Sequence, residues 1–293
     1  MKNKKRIIEL VILSALLVFG YFYIPYRAQG AFYAPDNDDW GHSPAYENLQ
    51  YEDVFFSSKD GTQLHAWFVP AQGAGAELPE GIKGTVILVH GNAGNLTGHW
   101  PSVNWLPQRG YNVFLFDYRG YGQSQGHPSP EGLFEDTQSA IAYVRQRPGV
   151  DERKLLVIGQ SLGGNNAIAA VGAGERQGVC ALVIDSTFYS YSSMADSVLF
   201  GAGLLMNNDY SAHRHVRAVA PVPILFIHGT ADEIVPYEQG VRLFELASEP
   251  KQFVSVPDGT HIMAFSGWYG DGYMEEVDAF FVKSLDECTA LAR

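Results

Sequence analysis

Ser161 stands between Gly159 and Gly163 in the run GQSLGG (159–164), the Gly-x-Ser-x-Gly spacing of a serine nucleophile. A serine hydroxyl attacks a carbonyl carbon only if a neighbouring base takes its proton. It must also stand clear of the sheet, which a sharp strand-to-helix turn achieves when the residues two before and two after are small. Glycine is 31 of the 293 residues, so the pattern alone decides nothing. The rest of the chain supplies context. His261, in VPDGTHIM, follows the last apolar run and is the base such a serine needs. Asp232, in FIHGTADEIVP, falls between them and gives the chain order Ser, Asp, His. It is the preferred acid because its loop leaves the sheet nearer the His261 loop. Its bland alternative is capping the helix ahead. Asp185, ending the preceding run, is the rival, and Asp258 belongs to a turn.

Acyl chemistry also needs donors for the developing oxyanion. The Leu162 amide opens the helix after the nucleophile, and HGNAGN (90–95) exposes backbone amides, of which Asn92 is chosen. His90 reads as orienting that loop by hydrogen bonding. DYRGYGQS (117–124) lacks the Gly-Lys-Ser/Thr ending of a phosphate loop and reads as a structural turn, with Arg119 pairing carboxylates. His213 and His215 lack the further clustered ligands of a metal site. The mechanism requires no metal or organic cofactor. Cys180 and Cys288 show neither metal spacing nor a redox pair, and Cys180 reads as a small core residue.

These residues must be positioned by elements. Near-continuous apolar runs at 85–91, 111–120, 154–161, 180–186, 224–229 and 252–259 predict parallel strands buried on both faces. A hairpin turning at Lys59-Asp60-Gly61 precedes them. Amphipathic stretches at 131–147, 162–174, 237–248 and 271–286 predict helices between. The alternation predicts an α/β fold with a mainly parallel sheet of eight strands. His90, Asp117, Ser161, Asp185, Asp232 and His261 all fall at or just after strand ends, where open α/β sheets bind ligands.

The first 30 residues carry a net charge of +4 within a chain of −12, leaving −16 on the remainder. So acidic a body repels phosphate backbones and argues against a nucleic-acid partner. Four basic residues precede an apolar stretch from Ile7 to Ile24, interrupted only by Glu9. As a helix it would cover about 27 Å, close to a hydrocarbon core. Residues 1–26 are therefore expected to be a membrane anchor, longer than a cleaved signal's apolar core. The positive-inside bias puts the amino terminus in the cytoplasm and the body outside it, in the periplasm of a Gram-negative host. Residues 27–48 read as a linker and 49–293 as the catalytic domain, with a short cap at about 187–220. In that cap Met194, Leu199, Phe200, Leu204, Leu205 and Met206 are placed either to line an acyl pocket or to pack on the sheet.

HGNAGN, FDYRGYGQS, GQSLGG, DSTF, HGTADEIVP and PDGTH, in that order behind a short membrane segment, resemble the α/β-hydrolase superfamily and, within it, the YfhR-type bacterial hydrolases. The resemblance covers about residues 1 to 285. It implies an α/β-hydrolase fold, with Ser161, Asp232 and His261 as a triad. The expected activity is cleavage of a small-molecule carboxylic ester or thioester through an acyl-enzyme. Acyl transfer or peptide cleavage with the same triad, and a non-catalytic tethered binding protein, are the alternatives.

Overall fold

β-Branched and aromatic runs with no polar face can be buried only in the middle of a layered structure. The computed structural model, which describes residues 32–72, 81–266 and 271–291 together with Ile12, Ser14, Tyr23 and Gly30, builds the expected sheet from them. The strands are β1 (Ala34–Pro35), β2 (Glu52–Ser57), β3 (Gln63–Val69), β4 (Gly84–Val89), β5 (Ala93–Gly94), β6 (Tyr111–Phe116), β7 (Leu155–Gln160), β8 (Val179–Asp185), β9 (Ile224–Gly229) and β10 (Lys251–Val256). Eight of them form one sheet in the order β10-β9-β8-β7-β4-β6-β3-β2. The hairpin supplies the antiparallel edge, β2 on β3 and β3 on β6, and the other pairs are parallel. Its turn falls where expected: Gly61 takes φ +90°, and Asp60 Oδ1 accepts the Thr62 amide at 3.0 Å.

The helices are α1 (Leu96–His99), α2 (Pro130–Gln146), α3 (Leu162–Gly172), α4 (Tyr191–Val198), α5 (Ala212–His215), α6 (Tyr237–Leu246) and α7 (Gly272–Leu291). Ser129 caps α2 by accepting the Gly132 amide at 3.0 Å, with Pro130 at the first turn. Successive strand residues point to opposite faces, so each strand feeds two cores. Ile87 and Val89 of β4 join Leu133, Ile141 and Ile168 on one side. Val86 and Leu88 join Trp100, Val277 and Phe281 on the other.

Three expectations change. Cys180 and Cys288, 108 residues apart, are joined as a disulfide that ties β8 to α7. Sequence separation says nothing about a pair that only strand and helix packing bring together. Residues 32–48, expected as a linker, lie against the loop after β4. There β1 pairs with β5, Asn95 Nδ2 donates to the Asp38 carbonyl at 2.8 Å, and Trp40 sits over Gly94 and Gly98. In the cap, Leu199, Phe200 and Leu204 project into solvent rather than lining a pocket. Met194 and Met206 of the expected set pack against the core. Apart from Ile12, Ser14 and Tyr23, the anchor expected over 1–26 lies outside the described residues. Among the described residues no helix is long and apolar enough to cross a membrane.

Arg119 pins the turn after β6 as expected. Its guanidinium bonds Asp136 at 2.8 Å, Asp60 at 2.9 Å and Ser58 Oγ at 3.2 Å. Asp136 is fully buried beneath it. Replacing Arg119 with Met should cost about 3–5 kcal/mol in urea denaturation, because a buried carboxylate loses its partner. A loss below about 1 kcal/mol would show that Asp136 has found other compensation.

Candidate active site

β7 ends at Gln160 and α3 begins at Leu162, so Ser161 alone makes the turn between them. Its backbone sits at φ +52° and ψ −116°, a region that costs a residue with a Cβ on the order of 1–3 kcal/mol. Two hydrogen bonds hold it there. The Ser161 amide donates to the Asp185 carbonyl at 2.8 Å, and Thr187 Oγ1 donates to the Ser161 carbonyl at 2.6 Å. The neighbouring glycines are required by close approach. A Cβ on Gly163 would overlap the Val89 carbonyl at the end of β4. One on Gly159 would lie 2.7 Å from Gly164 Cα, and one on Gly164 would lie 2.7 Å from Thr187 Cβ. A serine at a helix N-cap ordinarily accepts a first-turn amide. Ser161 makes no such bond.

The loops beyond β9 and β10 are laced together by their backbones. Thr230 N–H donates to the Val256 carbonyl and Ala231 N–H to the Gly259 carbonyl, both at 3.0 Å. Asp258 N–H donates to Thr230 Oγ1 at 2.9 Å, which puts Asp258 in the turn, as expected. This lacing sets His261 Nδ1 at 2.8 Å from Asp232 Oδ2. An ionised carboxylate only accepts, so Nδ1 carries the proton of this bond. Asp232 Oδ1 accepts the amides of Ile234 at 2.9 Å and Val235 at 2.8 Å, so it closes the turn ahead of α6 rather than capping that helix, whose N-cap is Pro236.

A further residue, passed over in the sequence, completes this cluster. His228 Nε2 lies 3.0 Å from the Val235 carbonyl and 3.2 Å from Asp232 Oδ2. Both are acceptors, so Nε2 is protonated. A Cβ on Gly240 would overlap Nδ1, which is packed against α6. Its only sequence signal is a polar residue inside an apolar strand, four residues before Asp232. Burial by itself would raise the Asp232 pKa, but the hydrogen bonds from His228 and His261 outweigh it and hold the carboxyl well below its ordinary range.

Asp185 is different. Burial pushes its carboxyl up, against opposing hydrogen bonds from Gln160 and Ser186. It makes no hydrogen bond to His261. Ser186 Oγ links the two regions instead, donating to Asp185 Oδ1 at 3.0 Å and accepting the Ile262 amide at 3.3 Å. The histidine loop thus crosses the end of β8, the neighbour of the strand that carries Ser161. The structure joins Asp232 to His261 and leaves Ser161 Oγ without a hydrogen bond among the described residues.

On the other side of Ser161 runs the loop after β4. A Cβ on Gly91 would lie 3.8 Å from Ser161 Cβ. Neither the Asn92 amide nor that of Leu162 donates to an acceptor among the described residues. Leu162 is the first residue of α3, where amides project from the positive end of the helix dipole. His90 orients the loop as expected, with Nδ1 2.8 Å from the Gly91 carbonyl. Tyr118 Oη donates to the His90 carbonyl at 2.7 Å and Tyr121 Oη to the Asn92 carbonyl at 2.9 Å. The Asn92 side chain donates to the Phe32 carbonyl at 2.7 Å. Asp117 Oδ1 accepts the Leu96 amide at 2.8 Å and lies 3.4 Å from His90 Nε2. Burial raises the Asp117 pKa, but His65, His90 and the Leu96 amide outweigh it and lower it overall. His99, stacked on His90 with ring centroids 4.8 Å apart, is pushed down to about 3 by burial and by that neighbour. The other histidines take no part. His213 stacks on Tyr189, and His215 Nε2 bonds the Asp209 carbonyl.

The family described as the alpha/beta hydrolase fold matches residues 84–218. The YfhR protein of Salmonella typhimurium is 45% identical over 294 aligned residues, covering 97% of this chain and 98% of that protein. Protein bem46 of Schizosaccharomyces pombe is 33% identical over 248 residues, 83% of this chain and 80% of its own. Among solved structures, the Pyrococcus furiosus esterase Pf2001 superposes with a TM-score of 0.68 at 19% identity, covering 87% of this chain and 98% of its own. That likeness is one of fold.

Two outcomes follow from the geometry. Ser161→Gly should stabilise the protein by about 1 kcal/mol in denaturant melts, since relief of the positive φ exceeds the added chain entropy. Destabilisation would mean that the side chain, not the backbone, holds the turn. Asp232 has a folded-state pKa below its ordinary 3.8, so its stabilisation is present above that value and fades as acid protonates the folded carboxylate. The stability gap between the parent protein and Asp232→Asn should therefore be full at neutral pH and narrow as pH falls below about 4. A gap constant with pH would refute the linkage.

Proposed function

The chain belongs to the YfhR-type branch of the α/β-hydrolase superfamily, and from that premise we propose that it is a serine hydrolase of carboxylic esters or thioesters. The observation that carries the reading is the backbone of Ser161. It occupies costly conformational space at a helix N-cap without capping the helix, so the turn would be served at less cost by a glycine and the serine side chain has no structural return. What the strain does provide is a hydroxyl lifted off the sheet at the head of α3.

In this reading His261 Nε2 takes the Ser161 proton as Oγ bonds to the substrate carbonyl carbon. Asp232 holds the imidazole in the required tautomer and stabilises the imidazolium. The amides of Asn92 and Leu162 donate to the oxyanion. The intermediate collapses, the carbon–oxygen or carbon–sulfur bond breaks, and His261 returns the proton to the departing alcohol or thiol. Water then attacks the acyl-enzyme with His261 again as base, releasing the acid and restoring Ser161. The esterase named above, sharing this fold, supports the carbonyl chemistry. The fold hosts many substrates, so the reading stops at reaction class.

The catalytic domain is tethered by residues 1–26 and stands on the extracytoplasmic side. The apolar run behind four basic residues supports the tether. The Cys180–Cys288 bond supports the side, because disulfides persist in oxidising compartments.

A fluorophosphonate probe tests the catalytic reading. The parent protein should label. Ser161→Ala and His261→Ala should not, and Asp232→Asn should label roughly 10²- to 10⁴-fold more slowly. Labelling that survives Ser161→Ala would overturn the assignment.

A further inference from the structure

Soluble proteins bury or scatter their large apolar side chains, and a run of them held out together marks an interaction surface. Segment 198–205 is such a run. Phe200 is 98% exposed, Leu204 92%, Val198 79% and Leu199 68%. They are not carried on a loose loop. Asp196 Oδ1 accepts the amides of Gly203 at 2.8 Å and Gly201 at 3.1 Å. The Leu199 amide donates to the Ala195 carbonyl at 2.9 Å, and Ser192 Oγ donates to the Gly203 carbonyl at 3.0 Å. A Cβ on Gly203 would come within 2.6 Å of both Asp196 Oδ2 and the Ser192 carbonyl. The backbone is pinned, and the apolar side chains point away from it.

Charge narrows the partner. From Thr187 to Asn208 the only side chain charged at neutral pH is Asp196, whose carboxylate is already bonded to the backbone of the same loop. On a chain of net charge −12, this face can lie against hydrocarbon without carrying an unpaired ion into it. The chain also brings a bilayer within reach. The apolar run ends at Ile24, and eight residues later Phe32 is fixed against the cap, with its ring 5.3 Å from Tyr191 and 5.9 Å from Phe188. Eight residues reach at most about 29 Å. Tyr191 opens α4, whose eight residues rise about 12 Å to Val198. The tether and the exposed tip thus leave from the same helix.

We propose that segment 198–205 is a lipid-docking element, with Val198, Leu199, Phe200 and Leu204 inserted into the outer edge of the bilayer that holds residues 7–24. The cap then rests on the membrane surface. On the hydrolase reading above, on which this consequence alone rests, the ester reaches Ser161 from the lipid phase.

The test uses the full chain in vesicles of phosphatidylcholine and phosphatidylglycerol doped with a phosphatidylcholine bearing a photoreactive acyl chain. After irradiation, adducts are mapped by mass spectrometry. Adducts are expected on both 7–24 and 198–205. The double variant Phe200→Ser/Leu204→Ser should lose at least five-fold of those on 198–205, while its thermal melt and fluorophosphonate labelling match the parent. Adducts on 7–24 without any on 198–205 would overturn the docking proposal and leave the tether intact. Adducts on neither would overturn both. Adducts on 7–24 alone, with a dimer in size-exclusion chromatography that Phe200→Ser/Leu204→Ser dissolves, would overturn the docking proposal and assign the face to a second copy. The adduct map does not depend on catalysis, so it fails independently of the hydrolase reading.

Discussion

The close approach of the α3 head to the end of β4 is the contact around which the site is arranged. Gly163 presses against the Val89 carbonyl and Gly159 against Gly164, at distances that leave no room for a Cβ. With strand and helix so near, the single residue joining them must turn within its own φ and ψ, and Ser161 takes a positive φ as a result. The cost is local and the compensation is spread over neighbouring strands. The Asp185 carbonyl, Thr187 Oγ1 and the packed faces on both sides of the sheet over-determine the turn. Parallel strands place every neighbouring carboxyl end at the same edge. The loops after β4 and β8 therefore meet this turn, and the loop after β10 is bonded to Ser186 beside it.

Electrostatics then distinguishes two carboxyls at that edge. Asp232 receives two histidine N–H groups and two backbone amides, which favour the ionised form despite burial. Asp185 is fully buried with only Gln160 and Ser186 as donors, so burial dominates and its charged form is disfavoured. The same residue type, on adjacent strands, is thereby pushed in opposite directions by the number of donors that reach it. His228 contributes to the difference by supplying Asp232 with a donor from inside the strand itself.

The amino-terminal strap joins this edge to the cap. Residues 32–40 bond to the loop that carries the Asn92 amide, while Phe32 packs on the base of α4. At the opposite end of the sheet the Cys180–Cys288 bond fastens α7 to β8. The long helix covering one face is thus held from the side remote from the chemistry.

Much of this was legible in the residues alone. Period and composition identified the parallel strands, the hairpin turn at Asp60-Gly61 and the helices to within a few residues, because hydrophobic periodicity is local information. Glycine at 159, 163 and 164 announced a close approach, since no other residue lacks a Cβ. The strand-end positions of Ser161, Asp232 and His261 followed from the runs preceding them. Tertiary structure decided what depends on segments meeting across space. Only the lacing of the β9 and β10 loops puts Asp232, rather than Asp185, on His261. Only the packing of α7 on β8 pairs two cysteines 108 residues apart. The cap shows the limit most clearly. Its apolar residues fitted an acyl-pocket lining as well as packing on the sheet, whereas Leu199, Phe200 and Leu204 face solvent on a backbone held by the Asp196 bonds to Gly201 and Gly203. Sequence pattern records which side chains avoid water, whereas the direction each one faces is set by backbone contacts made elsewhere in the fold.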